Sequence, residues 1–103
     1  MPFWFLYSTV GKKKDARAIA QHLLKKRLIA CANIFPIDSY YRWQGKIQRA
    51  KEFGMILKTK AKNYNRIEQE LKKLHPYQCP CLIAIEVKKG YPPYLAWIAE
   101  STL

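Results

Sequence analysis

Apolar positions along the chain switch between two spacings. Phe3 to Thr9 is a continuous run of apolar, aromatic and β-branched residues, which predicts a central strand covered on both faces. In "KKKDARAIAQHLLKKR" the side chains of Ala16, Ile19, Ala20, Leu23 and Leu24 recur at helical spacing. That predicts an amphipathic helix whose last turn carries Lys25, Lys26 and Arg27, where positive charge complements the helix dipole. Lys12, Lys13 and Lys14 fall at the opposite end, where the dipole disfavours them. A second strand is predicted over Leu28 to Phe35, with Pro36 interrupting it.

The stretch "SYYRWQGKIQRAKEFGMILKTK", Ser39 to Lys60, reads as a long two-stranded ribbon. Tyr41 and Trp43 share one face of its first arm, with Tyr40 and Arg42 on the other. Gln44-Gly45 supplies a tight turn. On the returning arm Phe53, Met55 and Leu57 alternate with Glu52, Gly54, Ile56 and Lys58, the pattern of a core-facing strand, whereas Ile47 to Lys51 is predicted to be exposed in a lone protomer. Tyr64, Ile67, Leu71 and Leu74 then mark one face of a second helix, and Pro76 breaks it. "CLIAIEV" predicts a short buried strand. Pro92 and Pro93 open a closing helix that Tyr94, Trp97 and Ile98 are placed to dock.

The order is β-α-β-β-α-β plus a C-terminal helix, an α+β chain of the ferredoxin-like split βαβ class, expected to form one domain over residues 1–103. The second and third strands run well past the ordinary length of about five or six residues. An arm of that length presents unpaired edges and aromatic residues beyond the reach of the helices, so it calls for a partner. A cyclic assembly, with each arm laid on the sheet of the next copy, meets that need.

Composition sharpens the picture in two ways. Half of the 103 residues are hydrophobic and only four are Gly, which excludes intrinsic disorder. Nineteen Lys and Arg against seven Asp and Glu leave a formal charge of +12, which attracts polyanions; by itself it implies only weak, salt-sensitive, non-specific nucleic-acid binding. No basic region precedes the apolar run in "MPFWFLYSTV", and no stretch approaches the roughly 20 apolar residues of a membrane-spanning helix. With three cysteines, an odd number, the expectation is reduced thiols and a cytoplasmic location.

The segments "IACANIFP", "SYYRWQGKI", "EFGMILKT", "LHPYQCP" and "GYPPYLAWIAEST" resemble, in order and spacing, the CutA family of divalent-cation tolerance proteins. The resemblance implies a homotrimer locked by extended hairpins, with Tyr41, Trp43, Gly45 and Lys46 as assembly residues, and an architecture similar to the PII signalling trimers. It also implies a non-catalytic role in tolerance of copper and other divalent cations, with copper bound by some members. For the copper-binding members the resemblance implies a Cys just ahead of the turn that follows strand one and two adjacent His before "PY"; here those positions are Ser8, Leu74 and His75, so only His75 matches. Where the family shows "HPYExPE", this chain has "HPYQCPC": Gln78 and Cys81 replace two acidic residues, which weakens any hard-cation site of oxygen ligands.

The candidate chemistry is therefore thiol-based. His75, Cys79 and Cys81 lie within seven residues, and two thiolates with an imidazole suit a soft or borderline ion such as Cu(I) or Zn(II). Alternation in an extended chain sends Cys79 and Cys81 towards one face; the competing reading packs them as small core residues. Cys31, between small apolar neighbours, reads as a packed thiol but stays a metal candidate because the family usually shows a Cys there. His22 reads as a surface or boundary residue, with no partner ligand for a metal apparent. No phosphate-cradling loop, nucleophile elbow or carboxylate pair is present, so neither enzymatic activity nor an organic cofactor is expected. Tyr41, Trp43 and Lys46 could instead stack on a nucleotide, although Tyr and Trp are also enriched in subunit interfaces. The alternative function is a PII-like sensor that binds a small anionic effector at an inter-subunit cleft through Lys46, Lys58 and Lys60.

Overall fold

The computed structural model describes residues 2–103. Seven main elements follow one another: β1 (Phe3–Val10), α1 (Lys13–Lys25), β2 (Cys31–Trp43), β3 (Lys46–Lys60), α2 (Tyr64–Leu74), β4 (Ile83–Val87) and α3 (Pro92–Ser101). A single 3₁₀ turn, Ala61–Asn63, leads into α2. The four strands form one antiparallel sheet in the order β2-β3-β1-β4. No helix among the described residues is long and apolar enough to cross a membrane.

The period-two and helical patterns meet in one core. Leu6 and Val10 of β1 and Met55 and Leu57 of β3 point to the same sheet face, and Ala16, Ile19 and Leu23 of α1 with Ile67 and Leu71 of α2 close over them. All nine are fully buried; each large aliphatic side chain among them is worth about 1.5–3 kcal/mol relative to exposure. Lys58 and Lys60 alternate with these inward positions, so they project from the opposite face. There they meet α3: the Lys58 ammonium donates to the Tyr94 hydroxyl (3.0 Å) and the Lys60 ammonium to the Ala99 and Thr102 carbonyls (3.1 and 3.2 Å).

Four features depart from the pattern-based expectation. β2 runs unbroken through Pro36, which lies opposite Phe53. β2 is an edge strand, and a proline is tolerated there because its missing N–H would face away from the ladder. Helix α1 stops at Lys25; Arg27 adopts a left-handed backbone (φ 57°), and the Arg27 and Leu28 amides donate back to the Leu24 and Leu23 carbonyls. That is a Schellman termination with arginine where glycine is usual. β1 is fully buried only at Leu6, Ser8 and Val10 on its helix face; Phe3, Phe5 and Tyr7 on the other are half-buried. β4, expected to be buried, is the second edge, and its Ile83 and Ile85 are 52% and 55% exposed.

The ribbon is as long as its pattern implied, with 13 residues in β2 and 15 in β3. Its two-residue turn has positive φ at both Gln44 (50°) and Gly45 (75°), the type I′ geometry that matches strand twist. Tyr40, Tyr41, Trp43 and Ile47 are exposed near its tip. The arm stretches the protomer to 45 × 26 × 21 Å and its radius of gyration to 14.3 Å, against about 13 Å for a compact chain of 100 residues.

Candidate functional site

A groove of about 620 Å³ runs between the ribbon and the loop that follows α2. One wall comes from the sheet: Ser39, Tyr41 and Trp43 of β2, Glu52 of β3 and Thr9 of β1. Period-two alternation explains the set, because Ile37 pairs with Glu52 and Gly54 with Thr9, which leaves all of these side chains on the face away from α1 and α2. The other wall is Tyr77, Gln78, Cys79 and Cys81.

Four hydrogen bonds fix the loop wall. His75 caps α2 in an extended conformation. Its Nε2 bonds the Thr9 carbonyl at 2.7 Å, so Nε2 is the donor, and its Nδ1 accepts the Tyr77 amide at 3.1 Å. Tyr77 turns its hydroxyl onto the Glu52 carboxylate at 2.5 Å. Gly11 allows that approach, since a Cβ there would stand 3.2 Å from the same hydroxyl oxygen. Ser8 donates to the Cys81 carbonyl at 2.6 Å, which ties the loop exit to β1.

Electrostatics follow from this packing. Burial, and then the neighbouring Glu52 carboxylate, push the Tyr77 hydroxyl well above the usual tyrosine range. The same two influences, in the same order, raise the Cys81 thiol. Cys81 is half-buried and Cys79 exposed, and both sulfurs are free.

The candidate metal residues therefore separate. Cys79 and Cys81 both line this groove, in the loop ahead of β4. His75 stands beside them but both of its ring nitrogens are engaged by the backbone. Cys31 lies elsewhere, opposite Lys58 at the start of β2. Among the described residues no group of three or more His, Cys, Asp or Glu side chains is gathered to hold a metal ion. The donors on hand are a pair of thiols, which suits a soft ion of low coordination number and not the four-ligand cage of structural zinc.

The residues assigned to assembly also divide. Tyr41 and Trp43 are both exposed and both line the groove, while Gly45 and Lys46 sit at the ribbon tip. Of the three effector lysines, Lys58 is held by Tyr94, with its ammonium 5.4 Å from the Phe5 and Tyr94 ring centroids. The Tyr94 hydrogen bond, aided by charge at Cys31, raises its pKa against a smaller opposing effect of burial. Lys60 is buried against α3, and desolvation lowers its pKa. Only Lys46 stands free of such contacts among the described residues, so the three do not form one anion site in the protomer.

Several partners escaped the sequence reading. Glu52 and Tyr77 were not singled out, although the alternation of β3 places Glu52 on the groove side. His22, half-buried at the boundary, bonds the Glu70 carboxylate at 2.7 Å, a partner that the sequence did not signal. Lys73 donates to the same carboxylate at 3.2 Å, and Lys26 stands 3.7 Å away. The His22 bond first, and Lys73 next, hold Glu70 at about 2.

Comparison with known proteins matches this architecture over nearly the whole chain. Residues 4–101 match the model of the CutA1 divalent ion tolerance protein family. The divalent-cation tolerance protein CutA of Archaeoglobus fulgidus is 43% identical over 97 residues, covering 94% of this chain and 95% of that one. The crystal structure of CutA1 from Oryza sativa superposes with a TM-score of 0.97 at 35% identity, covering 100% of this chain and 95% of the other. A structure described as the periplasmic divalent cation tolerance protein CutA from Archaeoglobus fulgidus gives 0.94 at 42% identity, covering 96% and 97% of the two chains. This chain belongs to the CutA1 divalent ion tolerance protein family.

Proposed function

We propose that the protein is a cytoplasmic, non-catalytic metal-tolerance protein, a homotrimer of ferredoxin-like protomers that takes up Cu(I) on Cys79 and Cys81. The observation that supports the metal assignment is that both thiols line one groove, beside a His75 whose ring nitrogens are already engaged by the backbone. Cu(I) is stable with two thiolate ligands, whereas Zn(II) would need further donors. Binding must displace the thiol protons, and the raised Cys81 thiol makes uptake pH-dependent.

Trimer formation is supported by what the protomer leaves uncovered. Tyr41, Trp43 and Ile47 on the ribbon and Ile83 and Ile85 on the β4 edge are all exposed, and large apolar side chains of this kind mark an interaction surface. The groove would then lie at a subunit boundary, with Gly45 and Lys46 reaching the neighbour. The PII-like alternative, an anionic effector on Lys46, Lys58 and Lys60, is the weaker reading because two of these lysines are already committed within the protomer.

Native mass spectrometry of the reduced protein, with and without stoichiometric Cu(I), tests both parts. The expected result is a trimer that takes up one copper ion per subunit, lost in Cys79→Ser and in Cys81→Ser but retained in Cys31→Ser. Uptake that survives both groove substitutions overturns the site, and a monomer overturns the assembly.

A further inference from the structure

The +12 charge is not spread evenly over the fold. Residues 12–27, which contain α1, and residues 61–74, which contain α2, together hold eleven Lys and Arg against three acidic residues. These two segments thus carry eight of the chain's twelve excess charges, and their helices pack on the sheet face away from the groove; Arg27 alone turns to α3, where it donates to the Glu100 carbonyl at 2.9 Å. The acidic residues do little to offset this outward field. Glu70 is buried and bonded to His22 and Lys73, and Glu68 accepts the Tyr64 hydroxyl at 3.1 Å. Lys13, Lys14, Arg17, Lys25, Arg66 and Lys72 are exposed, and no ion pair involves them among the described residues.

The arrangement also costs the fold something. Lys12, Lys13 and Lys14 crowd the positive end of the α1 dipole, with Asp15 as the sole acidic residue in the first turn. Packing does not explain them, since all three are exposed. An external polyanion would turn this local repulsion into attraction.

We infer that the outer layer of α1 and α2 is a docking face for the phosphate backbone of a double-stranded nucleic acid. Charge complementarity names the partner, and the rest of the surface narrows it. Single-strand binders stack bases on exposed aromatic side chains; the only aromatic residue of this layer, Tyr64, is half-buried and packed edge-on against Trp4. Peripheral membrane helices insert bulky apolar groups; here only Leu24 and Leu74 are even partly exposed, at 41% and 39%. What remains is a field of flexible cations without a stacking platform or a membrane anchor, which suits backbone contacts that position without reading sequence. This binding is independent of the copper site, which occupies the other sheet face.

Fluorescence anisotropy with a labelled DNA duplex of about 24 base pairs and the matching RNA duplex, over a salt series, tests the assignment. The variant Lys14→Gln/Arg17→Gln/Arg66→Gln is compared with a charge-matched control on the rest of the surface, Arg42→Gln/Lys88→Gln/Lys89→Gln, all six being exposed residues. Circular dichroism melts confirm that each is folded. The helix-layer variant is expected to lose at least tenfold in affinity for both duplexes and to flatten the log–log salt slope by about 2 to 3, as for three lost phosphate contacts. The control is expected to lose less than twofold. Equal losses in the two variants would mean a diffuse net-charge effect and would overturn the proposal. So would tighter binding to the single strand, or stronger binding to phosphatidylserine vesicles than to either duplex.

Discussion

The Tyr77 hydroxyl donates to the Glu52 carboxylate at 2.5 Å, and this bond joins the loop after α2 to the base of the ribbon. Glu52 is 9% exposed, so a variant that lacks the phenol strands a nearly buried acceptor. Tyr77→Phe is expected to destabilise the fold by about 1–3 kcal/mol, read as a lower midpoint in chemical denaturation. Glu52→Gln acts on the chemistry of the groove: without the carboxylate charge the Cys81 thiol titrates at lower pH. A thiol-reactivity profile against pH checks this, and an unmoved profile would show that burial alone sets the thiol.

The proposed copper uptake would inherit the same proton competition. Because the Cys81 thiol is raised, apparent Cu(I) affinity is expected to climb as pH increases from about 6 to about 9. Competition with a colorimetric Cu(I) chelator across that range measures it. A flat response would exclude Cys81 as a ligand.

Glu70 gives the fold an acid-sensitive joint between α1 and α2. Its carboxyl is lowered from 4.5 to about 2 by His22 first and Lys73 next. A depressed carboxyl contributes stability that is complete above its unfolded value and fades as pH falls through the folded one. Denaturation midpoints should therefore decline between about pH 5 and about pH 2, and Glu70→Gln should remove part of that decline while lowering stability at neutral pH.

Gly54 lies opposite Phe35 in the β2–β3 ladder. A Cβ added there would stand 2.7 and 2.9 Å from two atoms of the Phe35 ring. Gly54→Ala is expected to cost about 1–3 kcal/mol through overpacking, and Phe35→Leu in the same chain should recover part of the loss. Thermal melts of the two single variants and the double variant decide it.

The ribbon turn allows an opposite change. Gln44 has φ 50° and Gly45 φ 75°, and Asn is favoured over Gln at the first of these positions. Gln44→Asn should stabilise by a few tenths of a kcal/mol, whereas Gly45→Ala should destabilise by about 1–2 kcal/mol. Beyond its two chain neighbours nothing lies within 4 Å of a Cβ at residue 45, so any loss there is conformational and not a clash with the rest of the fold.

The order of elements and the long hairpin were legible in the sequence because both rest on local periodicity. What escaped the pattern depends on distant neighbours. His22 meets Glu70 across 48 positions, and Lys60 meets α3 across 39; no local spacing signals either. Arg27 terminates α1 in a left-handed conformation without the glycine that would mark it. The burial expected for "CLIAIEV" failed because an edge strand and a central one share the same composition; only sheet order, β2-β3-β1-β4, tells them apart.

Pro36 has one further consequence. β2 offers a 13-residue outer edge, long enough to template another strand and so begin a fibril. A residue without an amide hydrogen punctuates that edge near its middle, so a stray strand finds no continuous ladder on which to zip. The same proline that leaves the hairpin intact thus guards a concentrated solution of the protein against runaway sheet growth.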